Sequence, residues 1–139
     1  MEKTEYVTMY SEYLREEGFS PTVDEDGDIV FKFEGSIFYL VMDEETNYFR
    51  LIYPAFWSID SEAEQEAAMR SALEVTKTIR VVKINIIKES VWATFETFCA
   101  NPEDYKILFR RALNLLRAAS RRFAEKMMEK VILKVCEEE

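Results

Sequence analysis

Asp24, Glu25, Asp26 and Asp28 surround Gly27 in the stretch DEDGDIVFKFEG, residues 24–35, and four acidic side chains this close could hold a hard cation through oxygen ligands. An EF-hand loop requires acids at positions 1, 3 and 5, glycine at 6 and a bidentate Glu at 12. With Asp24 at position 1, position 6 is Ile29 and position 12 is Gly35; with Gly27 at position 6, positions 1 and 12 become Thr22 and Phe33. Both registers fail. Asp-Gly between strand-like residues is instead a strong signal for a two-residue type I′ hairpin turn. The stretch therefore predicts a turn at Asp26-Gly27, and Ile29, Phe31 and Phe33 then alternate with Val30, Lys32 and Glu34 as in a half-buried strand. No metal is expected there.

Other chemistry is sparse. The chain has no histidine, which excludes Ser-His and Cys-His nucleophilic catalysis and imidazole metal sites within it. Its three glycines, Gly18, Gly27 and Gly35, all have turn assignments, leaving none for a phosphate-cradling loop. Carboxylates cluster at Asp43, Glu44 and Glu45 and at Asp60, Glu62 and Glu64. These fall in an expected loop and a helix start, where acids serve solubility and capping rather than general acid/base work. Cys99 and Cys136 lack zinc-site spacing and read as ordinary thiols. The expectation is a protein without cofactor, metal or catalytic residues.

The elements that would position a site are clearer. At 139 residues, 48% of them hydrophobic, the chain suffices for one domain, 1–139, with a packed core. Tyr6, Met9, Tyr10 and Tyr13 mark a helix over 3–17, ended by Gly18 with Phe19 folding back and Pro21 beyond. Strands are expected at about 22–25, 28–34, 36–42 and 47–54, turning at Asp26-Gly27, Gly35-Ser36 and 43–46. Ser61 and Glu64 have capping-box spacing and open an Ala-rich helix to about 77, with Ala68, Ala72 and Val75 on its close-packing face. Two more strands follow, carrying Val82, Ile84 and Ile86 and then Val91, Ala93 and Phe95, with a turn near Glu89-Ser90. Asn101 caps a last helix, about 102–135, with Pro102 and Asp104 in its first turn. Its apolar face reads Leu108, Ala112, Leu115, Leu116, Ala119, Phe123, Met127 and Val131. The result is an α+β domain of order αββββαββα with a mainly antiparallel sheet and flanking helices.

Net charge is −9, yet residues 106–134 hold nine basic and two acidic side chains, a balance of +7 that leaves −16 elsewhere. A basic helix lying on its own acidic sheet, or facing an acidic partner subunit, accounts for this asymmetry better than nucleic-acid or membrane binding, because the acidic remainder repels phosphate. The alternative is a nucleic-acid-associated regulator using Arg110, Arg111, Arg117, Arg121 and Arg122. In LIYPAFW, residues 51–57, Pro54 ends ladder pairing or lies on an edge. Phe56, Trp57 and Trp92 either close the core, the commoner fate of aromatics, or form a binding patch. No stretch has a membrane span's length of apolar residues and no signal region is evident, so a cytoplasmic protein is expected.

The runs YLREEGFSPTVDEDGDIVFKFEG, FRLIYPAFWSIDSEAE, VVKINI and VWATFETF, within residues 13–98, resemble the YbjN-like family of bacterial proteins, sometimes labelled sensory transduction regulators. That resemblance implies a type III secretion chaperone fold: small acidic α+β proteins that commonly dimerise and bind segments of another polypeptide. It carries over no ligand residues. The expected function is thus a non-enzymatic interaction module, chaperone-like or regulatory, acting as a homodimer. Candidate interaction residues are Phe56, Trp57, Trp92, Leu116, Phe123 and Met127, the last two because the terminal helix's apolar face could exceed what one small sheet covers.

Overall fold

A computed structural model describes residues 2–43 and 47–138, with side chains described other than those of Pro102 and 132–138. The chain runs α1 (Lys3–Glu16), β1 (Thr22–Val23), β2 (Ile29–Phe33), β3 (Ser36–Val41), β4 (Tyr48–Ser58), α2 (Glu62–Thr78), β5 (Val82–Ile87), β6 (Ser90–Phe98), one 3-10 turn (Pro102–Asp104) and α3 (Tyr105–Glu138). The expected order αββββαββα is the order found. One antiparallel six-stranded sheet has the order β1-β2-β3-β4-β6-β5. The chain therefore leaves β4 through α2, lays β5 on the edge, and returns β6 between them.

Local signals act largely as the residue types require. Gly18, at φ 93°, ends α1 in a Schellman arrangement: Phe19 N–H donates to Leu14 O and Gly18 N–H to Arg15 O. Phe19 thereby folds back on the last turn, and its ring packs edge-on to Phe31 and Phe109. Ser61 Oγ accepts the Glu64 N–H that opens α2, and Asp104 Oδ2 accepts the Asn101 N–H that opens the last helical segment.

The turn chemistry differs from expectation at the first hairpin. Thr22 pairs Val30 and Val23 pairs Ile29, so Glu25, Asp26 and Gly27 form a three-residue loop rather than a two-residue I′ turn. Gly27 N–H donates to Asp24 O and Gly27 alone takes positive φ there, 82°. That is a type I turn followed by a left-handed residue, the alternative a glycine in the third loop position permits. The two-residue turn lies at the next hairpin, where Phe33 pairs Ser36 across Glu34 and Gly35, with φ 48° and 83°.

Pro54 does not end β4. Pairing with β6 breaks after Tyr53↔Ala93 and resumes at Trp57↔Val91, with Ala55 at φ 44°, so the proline sits in a bulge and the strand continues to Ser58.

All three helices pack on one face of the sheet. Ile29, Phe31, Phe38, Leu40, Phe49, Leu51, Val91, Ala93 and Phe95 meet Tyr6, Tyr10 and Leu14 of α1, Ala68 and Val75 of α2, and a long stripe of α3 in one core. That stripe contains Ala112, Leu116, Ala119, Phe123 and Met127 as expected, and also Tyr105, Phe109 and Leu113. Val131 is exposed, and Leu108 and Leu115 are half-buried. The face is rotated toward the aromatic end because Tyr105 and Phe109 fill the space under α1, where Tyr105 lies 3.9 Å from Tyr10 between ring centres.

Candidate functional site

The acidic turn brings three carboxylates together: ligand oxygens of Asp24, Asp26 and Asp28 all lie within 4.8 Å of one another. Much of that oxygen is committed to the fold. Asp24 Oδ1 accepts the N–H groups of Asp26 at 3.0 Å and Asp28 at 2.9 Å, and Asp28 Oδ1 accepts the Met42 N–H at 2.9 Å. These bonds tie the turn to itself and to the end of β3, the work expected of Asp in turns. Of the other carboxylates, Glu64 accepts the Asp60 N–H at the start of α2, Asp43 stands 4.0 Å from Arg50, and Glu44 and Glu45 lie outside the described residues.

The expected interaction residues divide. Leu116, Phe123 and Met127 are 0–2% exposed within the single chain, so they belong to its own core and not to a surface. The reason is sufficiency: sheet, α1 and α2 together cover that face of α3. Phe56 and Trp57 are half-buried and pack edge-on against Phe123, closing the core beside α2. Trp92 is half-buried on the opposite side of the sheet, paired with Asn85.

The five arginines of α3 do not form one free basic face. Arg110 binds Glu17 at 3.1 Å and lies over Phe19; Arg117 binds Glu34 at 2.6 Å and lies over Phe33. Lys130 and Lys126 reach Glu74 of α2. The basic helix is thus partly neutralised by the chain's own acids, while Arg111, Arg121 and Arg122 are exposed.

Three surface features were not anticipated. The sheet face away from the helices is bare among the described residues and carries Val30, Tyr39, Ile52, Trp92 and Thr94, with Ile37, Ile87 and Phe98 exposed. Ile52 and Thr94 are each 7% exposed although no described helix covers them; they pair with each other across β4 and β6, and Tyr39 of β3 pairs Ile52. Thr94 Oγ1, Trp92 Nε1 and Arg50 Nε have no hydrogen-bond partner among the described residues.

At one end of this face Tyr48 Oη donates to Glu96 Oε2 at 2.7 Å, and Lys83 Nζ reaches the same oxygen at 3.1 Å. The Tyr48 phenol is pushed up to about 12, first by its bond to Glu96 and then by burial. Burial alone would raise Glu96, but the bonds from Tyr48 and Lys83 and the charges of Lys83 and Arg50 hold it below the ordinary carboxylate value.

The second feature is an apolar groove of about 520 Å³ between α2 and edge strand β5, lined by Met69, Ala72, Leu73, Ile84 and Ile86. Met69 and Leu73 are 55% and 73% exposed. Their four-residue spacing, offset from the Ala68, Ala72 and Val75 stripe, was a legible sign of a second apolar face on α2. The third is a groove between the α2–β5 connection and α3, flanked by Arg80 and Arg111. No described helix is long and apolar enough to cross a membrane.

An antiparallel six-stranded sheet with its helices on one side, an opposite face left bare among the described residues and two apolar grooves define an α+β domain with open surfaces. Residues 7–131 match the family described as T3SS (YopN, CesT) and YbjN peptide-binding chaperone 1, TY-Chap1, and the chain belongs to that family. Among solved structures the fold is shared with a chain of the HopA1-SchA chaperone–effector complex, at TM-score 0.64 and 14% identity over 88% of this chain and 95% of that one. It is shared equally with YbjN from E. coli, described as a proposed transcription regulator, at TM-score 0.64 and 10% identity over 89% and 92%. No curated protein sequence matches the chain.

Proposed function

We propose that this protein is a non-enzymatic, cytoplasmic interaction module that acts as a homodimer and binds a segment of another polypeptide, in a chaperone-like or regulatory role. The observation that carries the reading is membership, from α1 into α3, of a family described as peptide-binding. The geometry supports it. A bare sheet face, the six-residue edge strand β5 and the apolar groove between the α2–β5 connection and α3 offer backbone hydrogen bonds and side-chain pockets, which is what capture of an extended segment uses. The α2–β5 groove, with Met69 and Leu73 exposed on the helix beside the open edge, is the surface we assign to the second copy of the chain.

Selection of a displayed random dodecapeptide library on the full chain, followed by calorimetry of the enriched sequences, tests the reading. Stoichiometric binding in the micromolar range is expected. A library that yields no enriched sequence overturns it.

A further inference from the structure

The helical layer does not close over the whole sheet. Between the α2–β5 connection and α3 lies an open groove of about 540 Å³, whose lining includes Phe95 of β6, Ile79 and Val81 of the connection, and Leu108 and Leu115 of α3. Phe95 is core, whereas Ile79, Leu108 and Leu115 are only half-buried, so the groove opens directly onto the edge of the core. Val81 takes φ 57°, a conformation β-branched residues rarely adopt, and is 62% exposed. It lies in the short turn that joins α2 to β5, so the turn holds the valine out on the rim of the groove.

Charge sets this groove apart. Arg80 from the connection and Arg111 from α3 both line it and both are exposed. Neither forms an ion pair among the described residues, whereas Arg110, adjacent to Arg111, is held by Glu17, and Arg117 by Glu34. On a chain with 27 acidic against 18 basic side chains, two guanidiniums left without carboxylates at one apolar groove are a local reversal of sign.

We propose that this groove receives apolar side chains of the bound polypeptide while Arg80 and Arg111 engage carboxylates beside them, so that the segment it selects carries Asp or Glu next to its apolar anchors. The inference rests on the polypeptide-binding reading above and names the chemistry of what is bound. A guanidinium meets a carboxylate through paired N–H donors, and apolar walls reduce the screening that makes open-surface pairs weak. Recognition is then local. The chain's overall negative charge repels an acidic segment at distance, an effect that salt screens beyond about 8–10 Å, so affinity depends on contact with the two arginines rather than on long-range steering.

The test is selection of the dodecapeptide library in parallel on the wild-type chain and on the Arg80→Gln, Arg111→Gln double variant, with circular dichroism confirming that the variant is folded. Wild-type selection should enrich Asp or Glu beside Leu, Ile, Phe or Val. Replacing those acids by Asn and Gln in the best peptide should weaken binding about tenfold. The double variant should bind the acidic and neutral peptides equally. Leu115→Glu, which places a carboxylate in the groove wall, should weaken the acidic peptide most.

Enriched peptides without acids, or an acid preference that persists in the double variant, overturn the proposal and leave polypeptide binding standing. Failure to enrich any peptide overturns both. Decanoate bound in an arginine-dependent way, with peptides binding elsewhere, would assign the groove to small amphiphiles and overturn it as well.

Discussion

Trp57 Nε1 donates to Glu64 Oε1 at 2.9 Å, so the bulged end of β4 and the first turn of α2 share one carboxylate. The other oxygen, Oε2, accepts the Asp60 N–H, and the Glu64 N–H donates to Ser61 Oγ. Two donors, Trp57 Nε1 and the Asp60 N–H, therefore depend on one carboxylate at the corner where the chain leaves the sheet. Glu64→Ala should destabilise the fold by about 1–2 kcal/mol, the usual cost of two lost hydrogen bonds to a charged acceptor with a half-buried donor left unpaired, while the Ser61 cap is kept. Glu64→Gln, which keeps one acceptor oxygen, should cost less. Urea denaturation of the three proteins checks the order; equal stability of wild type and Glu64→Ala would refute it.

The acidic turn should not bind calcium as a built site. Asp24 Oδ1 already serves the N–H groups of Asp26 and Asp28, and Asp28 Oδ1 serves Met42, so a cation would compete with the bonds that shape the loop. Calorimetric titration with calcium should show no micromolar, stoichiometric binding; such binding, abolished by Asp26→Asn, would sink the claim. Asp24→Ala should instead cost about 1 kcal/mol of stability, whether or not calcium is present.

How far these features could be read beforehand depends on whether they are local. The Gly18 stop, the Ser61–Glu64 cap and the alternation of Val91, Ala93 and Phe95 depend on residues a few positions apart, and all are found where expected. The placement of β6 between β4 and β5 depends on comparing whole strands: Thr94 of β6 is buried on the helix-free face, whereas β5 presents Lys83 and Asn85 there, which suits an edge. Leu116, Phe123 and Met127 were misassigned to a surface for a related reason. The area α3 must cover depends on how α1 and α2 share the sheet, and no periodicity within α3 records that. The grooves are still less legible, because Arg80 and Arg111 come from elements 31 positions apart in sequence.

The core and the proposed dimer surface should respond differently to charge. Phe123→Glu with Met127→Glu should unfold the protein, since both side chains are at most 2% exposed and each carboxylate would be buried without a partner, at several kcal/mol apiece. Met69→Glu with Leu73→Glu alters exposed positions and should leave the fold intact while shifting a dimer to monomer in light scattering. A wild-type protein of monomeric mass across a wide concentration range would remove the dimer from the proposal.

Glu96 should contribute to stability in a pH-dependent way. Its folded pKa is lowered, so the stabilisation is fully present above the unfolded value of about 4.3 and is lost as pH falls through the folded value. Glu96→Gln should therefore be less stable than wild type at pH 7, and the difference should shrink toward zero as both are acidified. Tyr48 runs the other way: its raised value means stability present below pH 10 and lost as pH rises toward about 12. Ultraviolet titration of the phenols in Glu96→Gln should show one tyrosine returning toward 10.0, because the bond to Glu96, which raises it most, is removed. A stability difference independent of pH between 3 and 7 would contradict the assignment.

The last expectation separates polypeptide from nucleic acid. Of the five arginines available to a phosphate backbone, Arg110 and Arg117 are already paired with Glu17 and Glu34, and the chain outside residues 106–134 sums to −16. Few counterions would be released from DNA or RNA by such a surface, and the acidic remainder opposes approach. Binding of an enriched peptide draws mainly on apolar contacts and strand-edge hydrogen bonds, with two arginine contacts added, so it should weaken only modestly between 50 and 200 mM salt. Phosphate binding through five arginines would instead fall by about two to three orders of magnitude over that range. Anisotropy of labelled duplex DNA, single-stranded RNA and the enriched peptide, each measured at both salt concentrations, decides between them. Tight, steeply salt-dependent nucleic-acid binding, lost when Arg117, Arg121 and Arg122 are changed to Glu in a still-folded protein, would replace the polypeptide-binding reading with that of a nucleic-acid-associated regulator.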